Sequence, residues 1–381
     1  MGIYGYAYGY RFHLLFYLPT PMLDAIEQKV NSGERLNFND GMALFASHDL
    51  LRIGRLANSV REKLHGNITY YNINRHINPT NYCVYNCGFC AFKKNPGEEG
   101  GYEFSLDEIA HRAAGAVAQG ATELHIVGGL HHKWKYQQYV DIIRVCHEAA
   151  PKIHLKAYTA VEIDFLSRIS KQSIHKTLED LQAAGLGSLP GGGAEILGEE
   201  TRKLICDKKS DAGKWIEVHR VAHQMGIKSN CTMLYGHVEN TADKVRHLIS
   251  LRQLEDEAQG FNCFIPLAFH PDNTKLSHIR KPGGIADLKT LAISRLMLDN
   301  ISNVKAYWIT LGLKIAQVAQ HYGANDMDGT VVEEKIYHMA GSDTPEEVSV
   351  QHLRSLILET GREPRERDTL YQNVHREPVL A

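Results

Sequence analysis

Apolar positions change rhythm near residue 67. From 21 to 66 they recur at helical spacing: Leu50, Leu51, Ile53, Leu56 and Ala57 mark one helix, and Phe38 to Asp40 is a candidate cap for another. Beyond that point short apolar runs alternate with helical stretches. The runs predict strands at 71–77, 122–127, 152–158, 186–190, 227–234, 262–268, 304–310 and 323–328, the fourth and eighth being the weakest. The best-marked helix covers 106–119. Ser105 and Glu108 form a capping box, Ile109, Ala113, Ala116 and Val117 give its apolar face, and Gly120 stops it. Another starts at Thr241 and carries Val245, Leu248 and Ile249. Eight strands alternating with helices over about 260 residues predict an α/β fold, a (β/α)8 TIM-type barrel over 67–330, preceded by helices at 21–66. A helical tail is expected at 331–381. Thr344-Pro345-Glu346-Glu347 has the form of a helix start, with Val348, Leu353, Leu356 and Ile357 as the apolar face. The polar REPRERDTLYQNVHREP is expected over the surface, and residues 1–20 as a poorly ordered extension.

Composition narrows the class little. Apolar content of 43% and charged content of 23% are ordinary for a globular chain. A net charge of −2 offers no basic field for nucleic acid or an anionic membrane. No apolar run reaches the roughly 18 residues of a membrane span. The first residues lack a charged segment ahead of Phe12–Leu18 and a small-residue cleavage site, so no secretory leader is predicted. Of 7 cysteines, Cys83, Cys87 and Cys90 cluster, while Cys146, Cys206, Cys231 and Cys263 stand singly among apolar residues as small buried hydrophobes. That is no disulfide framework. It predicts a reducing compartment, the cytoplasm, and a metal site.

The cluster Cys83-Val-Tyr-Asn-Cys87-Gly-Phe-Cys90 directly follows the first strand, where barrel enzymes carry their chemistry. A cubane iron–sulfur cluster usually takes four thiolates. Three local thiolates leave one iron open to chelate the amino and carboxylate groups of S-adenosylmethionine (SAM) and to pass an electron to its sulfonium. A structural zinc site is the competing reading, but zinc prefers paired Cys-x2-Cys units and four ligands. The spacing resembles the radical SAM signature, including the aromatic Phe89 before the third cysteine. That resemblance implies a [4Fe-4S] cluster on Cys83, Cys87 and Cys90, and Phe89 near the adenine of SAM.

Other strand ends carry further candidates. Gly128-Gly129 ends the second strand; glycines there let backbone approach a ligand closely, and a tight turn without ligand is the alternative. In radical SAM enzymes this pair contacts the methionine ammonium; Leu130 follows where many members have Glu, so only the backbone role carries over. Glu162, after the third strand, is a candidate for a ribose hydrogen bond or acid–base work, or simply opens a helix. Glu195 follows Gly191, Gly192 and Gly193 and is equally open. Gly236, in Thr232-Met-Leu-Tyr-Gly-His-Val-Glu239, resembles the segment bordering adenine in that superfamily. His270, after the sixth strand, is a candidate proton donor or carboxylate partner, or a His satisfied by loop carbonyls.

The segments 76–92, 155–163, 185–196, 229–239, 260–274 and 323–336 together resemble the aminofutalosine synthases, radical SAM enzymes of the futalosine route to menaquinone. The resemblance runs from about residue 40 to 373. It implies that SAM is a co-substrate and that its 5′-deoxyadenosyl radical adds to the enol-ether double bond of 3-[(1-carboxyvinyl)oxy]benzoate. Aryl migration and loss of CO2 or bicarbonate then give aminodeoxyfutalosine. It also implies a reductant such as flavodoxin or ferredoxin. A substrate with two carboxylates asks for cations or donors, and His270, Arg75 and Arg280 are candidates by position. The cyclic dehypoxanthine futalosine synthases, whose radical abstracts hydrogen, share the Pro190–Ile196 segment. An iron–sulfur electron carrier or sensor is the reading from another class; a fourth nearby cysteine would favour it, and none lies close in sequence.

Overall fold

The computed structural model describes residues 20–376. The predicted 1–20 extension therefore lies outside the described residues, save that the first helix begins at Thr20. The described residues hold eight strands: β1 (Ile68–Asn72), β2 (Asn74–Ile77), β3 (Glu123–Ile126), β4 (His154–Ala157), β5 (Ser229–Tyr235), β6 (Phe261–Ala268), β7 (Asp326–Gly329) and β8 (Glu363–Glu366), the last flanking β1 outside the ring. β1 and β2 form one stave broken at Ile73. β2 pairs with β3, β3 with β4, β5 with β6, and β1 with β7, all parallel. Single parallel bridges complete the ring: Lys156 with Ser188, Leu189 with Ser229, Phe264 with Val304, and Lys305 with Asp326. The result is a closed eight-stave barrel, as the alternation predicts. Its slightest staves are the fourth and seventh, not the fourth and eighth.

Parallel staves covered by helices are buried on both faces, and all of β5 is buried. The helix Leu106–Ala118 has the Ser105/Glu108 capping box and buries Ile109, Ala113 and Ala116, although Val117 is exposed. Among the N-terminal helices, Thr20–Ser32, Phe38–Ala46 and Leu50–His65, the cap of the second is Asn37 with Asp40, so Phe38 lies inside the helix instead of capping it. Leu51 in the third is exposed, while Ile53, Leu56 and Ala57 are buried.

Three expectations fail. The run 304–310 is not a strand throughout: Val304 and Lys305 bridge, and Trp308–Leu311 is a helical turn whose Trp308 Nε1 donates to the Gly329 carbonyl at 2.9 Å. Thr344–Glu347 does not open a helix; Ser349 caps Val350–Glu359, which buries Leu353 and Ile357. The polar tail does not lie over the surface, because β8 pairs with β1 and the next residue, Arg367, is 1% exposed. Its Nε donates to Asp326 Oδ2 at 2.5 Å, and the neighbouring carboxylate holds the guanidinium charged against burial. Two more buried pairs stand inside the barrel: Lys156 Nζ to Glu123 Oε1 at 2.5 Å and Lys305 Nζ to Asp328 Oδ1 at 2.9 Å.

Removing one partner of a buried ion pair strands the other charge, at about 3–5 kcal/mol. Arg367→Met should lower unfolding free energy by that amount in urea titrations. Adding Asp326→Asn should recover part of the loss; equal midpoints for the single and wild-type chains would contradict the role given to the pair.

Candidate active site

Residues 83–90 form a loop directly beyond β2, pinned by backbone hydrogen bonds. Val84 N–H donates to the Leu130 carbonyl at 2.9 Å, Gly88 N–H to Ile205 at 2.7 Å, and Lys275 N–H to Gly88 at 3.0 Å. Cys83, Cys87 and Cys90 are free, half-buried, and line one cavity of about 290 Å³. Burial pushes the Cys87 thiol up to about 12 and raises that of Cys90, so without cationic iron both stay protonated. Among the described residues no three of His, Cys, Asp or Glu converge on one metal ion. A cubane asks for less, since each thiolate takes a different iron. Three thiols opening into one cavity on an anchored loop fit such a cluster. Cys146, Cys206, Cys231 and Cys263 are buried, as expected.

The Gly-Gly turn packs directly behind this loop. Gly129 N–H donates to the Thr80 carbonyl at 2.7 Å, and a Cβ at Gly129 would overlap the Tyr82 carbonyl oxygen. The glycine is thus required by the chain's own backbone next to Cys83. Gly128 N–H donates to Glu162 Oε1 at 3.1 Å, while Glu162 Oε2 accepts from Thr159 N–H at 2.7 Å and its hydroxyl at 2.8 Å. Glu162 is the capping-box residue of the helix Ala160–Ser170; one oxygen closes that helix's cap and the other ties it to the turn. It lines the cavity, and burial raises its pKa to about 7 in spite of those bonds.

Phe89 lines the cavity, with Lys209 Nζ 5.3 Å from its ring centre. Lys209 is paired with Glu195, and both face the cavity. Glu195 has φ +47, and the next helix starts only at Glu199, so Glu195 opens no helix. His270 is buried on the cavity wall; its Nε2 meets the Thr310 carbonyl at 2.9 Å, and its Nδ1 has no partner. Bonded to a carbonyl, Nε2 carries the proton and Nδ1 presents a lone pair. Burial lowers its pKa, so His270 is neutral and offers an acceptor instead of a cation.

Three expected positions fall elsewhere. Gly236 is not on the cavity wall; its φ is +88, and a Cβ there would strike the Pro282 ring. Arg75 pairs with Glu333 at 2.8 Å and packs toward Gly115 outside the barrel, and Arg280 is exposed. The cations at the cavity are Lys93, Lys156, Lys209 and Lys305. A lysine inside a strand pattern, as in His154-Leu-Lys156-Ala, is the signal in the sequence that points to them.

The radical SAM superfamily profile matches residues 77–251, which hold this loop and the staves around it. The chain belongs to the radical SAM superfamily. Its cofactors are accordingly a [4Fe-4S] cluster and SAM, and the chain is an enzyme. A second profile, the CofH/MqnC C-terminal region, matches 258–378. The aminodeoxyfutalosine synthase of Thermus thermophilus is 43% identical over 93% of this chain and 96% of its own length; that of Streptomyces coelicolor is 42% identical over 91% and 92%. The chain belongs to their family. A related branch includes a 5-amino-6-(D-ribitylamino)uracil–L-tyrosine 4-hydroxyphenyl transferase of Methanococcoides burtonii, 38% identical over 84% of this chain and 90% of the relative. Methylornithine synthase (PylB) shares the fold at TM-score 0.72, with 17% identity over 89% of this chain and 97% of that one. No helix among the described residues is long and apolar enough to cross a membrane.

Two outcomes are expected. Gly129→Ala forces the Tyr82 carbonyl aside at about 1–3 kcal/mol, and should lower iron content and SAM affinity together; normal iron with weak SAM binding would place the glycine's role at the ligand alone. His338 lies 3.1 Å from Glu334 Oε2, and that carboxylate raises its pKa from 6.5 to about 9. A raised His pKa stabilises the fold fully below 6.5, and the benefit is lost as pH rises through about 9. The Tm gap between wild type and His338→Gln should therefore narrow across that window.

Proposed function

We propose that this enzyme joins the 5′-deoxyadenosyl group of SAM to 3-[(1-carboxyvinyl)oxy]benzoate, making aminodeoxyfutalosine for menaquinone synthesis. The observation that carries this reading is the 43% identity to the Thermus thermophilus aminodeoxyfutalosine synthase across 93% of the chain. When bound, the cluster supplies one-electron reduction of the SAM sulfonium, releasing methionine and the 5′-deoxyadenosyl radical. The chain's own residues shape the surroundings of that radical. Leu234, Ile265, Leu267 and Phe269 wall the cavity, excluding water from a reactive primary carbon. Glu162 holds the Gly128 turn, and His270 presents the unprotonated Nδ1 as a proton acceptor or hydrogen-bond acceptor. An external reductant such as flavodoxin or ferredoxin supplies the electron.

The C-terminal match to the CofH/MqnC region favours a second reading, in which the radical abstracts hydrogen from a related substrate. The fate of the adenosyl carbon separates the two. With SAM labelled at C5′ and the enol ether, addition should place the label in an adenine-bearing product, one SAM per turnover, with little free 5′-deoxyadenosine. Stoichiometric labelled 5′-deoxyadenosine would assign the chain to hydrogen abstraction.

A further inference from the structure

The end of the cavity away from the cysteine loop has an unusual floor. His76 on β2 pairs in register with His125 on β3, and His125 with Lys156 on β4. Side chains alternate across a strand, so matched positions share a face, and all three line the cavity. Barrel interiors are ordinarily filled at such rows by branched aliphatic side chains. Here the row is two imidazoles, tilted together with centroids 4.5 Å apart, followed by an ammonium. Lys305 lines the same cavity, and Glu123 feels both lysines.

Several donors at this end have no acceptor from the chain. His76 Nε2 is buried and has no hydrogen-bond partner. Each lysine has three N–H donors; Lys156 donates one to Glu123, and Lys305 one to Asp328. The neighbouring carboxylates are partly engaged: Asp328 Oδ1 also takes Asn74 Nδ2 at 3.4 Å, and Glu334 Oε1 takes the N–H groups of Ile336 and Tyr337. Burial lowers the pKa of both imidazoles, so each ring keeps one N–H. A buried donor without an acceptor keeps an uncompensated desolvation penalty, which an anionic oxygen would relieve. One layer nearer the cysteines the wall turns apolar, with Val127, two residues on from His125, and with Ile265 and Leu267 of β6.

We infer that the row His76–His125–Lys156, with Lys305, is the subsite for the carboxylate of an aromatic acid, whose ring lies against Val127, Ile265 and Leu267. This rests on the enol-ether reading above and deepens it. It assigns the benzoate carboxylate to the floor, so that the group in the meta position points back toward the cysteine loop.

The test compares 3-methoxybenzoate with its methyl ester, titrated calorimetrically and anaerobically into full-length, cluster-loaded protein. Wild type should prefer the acid. His125→Phe and His76→Phe keep the stacked shape and remove the N–H; each should weaken acid binding about tenfold, the value of one hydrogen bond to a charged group, while ester affinity stays unchanged. Circular dichroism and iron content report folding. Where an imidazole replacement does not fold, the charge-neutral pair Glu123→Gln with Lys156→Met should show the same selective loss. Equal wild-type affinity for acid and ester, equal losses for both in the variants, or undiminished acid binding would each overturn the subsite. The label experiment reads the other question separately. Adduct formation beside unaltered acid binding in the variants rejects the subsite and keeps the reaction; acid selectivity that depends on the row without adduct keeps the subsite and rejects the reaction.

Discussion

Lys156 is buried inside the barrel, and its charge is matched by Glu123, whose Oε1 stands 2.5 Å from Nζ on the adjacent stave. An isolated ion of that size in a low-dielectric interior is penalised by several kcal/mol even after relaxation. The same condition binds Lys305 to Asp328 and Asp326 to Arg367. Each pair crosses a boundary between staves, so the charges hold β3 to β4, the 304–305 segment to β7, and β7 to the tail. Lys305 matters most in this respect. Its stave has a ladder of only two bridging residues, and the ion pair adds a second attachment where backbone pairing is thinnest. The cavity floor therefore has its form because these charges must be matched.

That requirement also explains what the sequence could and could not disclose. The alternation of short apolar runs with capped helices makes the barrel legible, and the spacing of Cys83, Cys87 and Cys90 makes the chemistry legible. Both are local patterns. The pairing of Lys156 with Glu123, 33 residues apart, is visible only once the staves align. Lysines are so often solvated that a charged residue within a strand pattern reads as surface, which leaves Arg75 and Arg280 as the more prominent cations. The polar tail misleads for the same reason: Arg367 is polar by type and buried by partnership.

Several residues at the site serve by holding others. Glu162 commits both oxygens to the Gly128 turn and the cap of its own helix, and that turn braces the backbone beside Cys83. Moving the helix Ala160–Ser170 would thus move the cysteine loop. His270 is fixed by the Thr310 carbonyl, which belongs to the helical turn at Trp308 standing where a longer strand was expected. The break in the seventh stave is what brings a carbonyl to that imidazole and sets which ring nitrogen faces inward.

The position of β8 has a bearing on how the protein is made. Synthesis runs from the N-terminus, and domains tend to fold as their segments emerge. β1 and β2 are among the first strands to appear, and the cysteine loop comes directly after them. Yet one edge of β1 is covered only by Glu363–Glu366, and Asp326 meets its arginine only at residue 367. Until then the nascent chain carries an open strand edge and an unpaired carboxylate destined for the interior. Such edges are where chains aggregate and where chaperones engage. A ribosome stalled in the last tenth of the message would hold β1 with that edge bare, with thiols already displayed and the carboxylate that ties β7 to the tail still waiting for its partner.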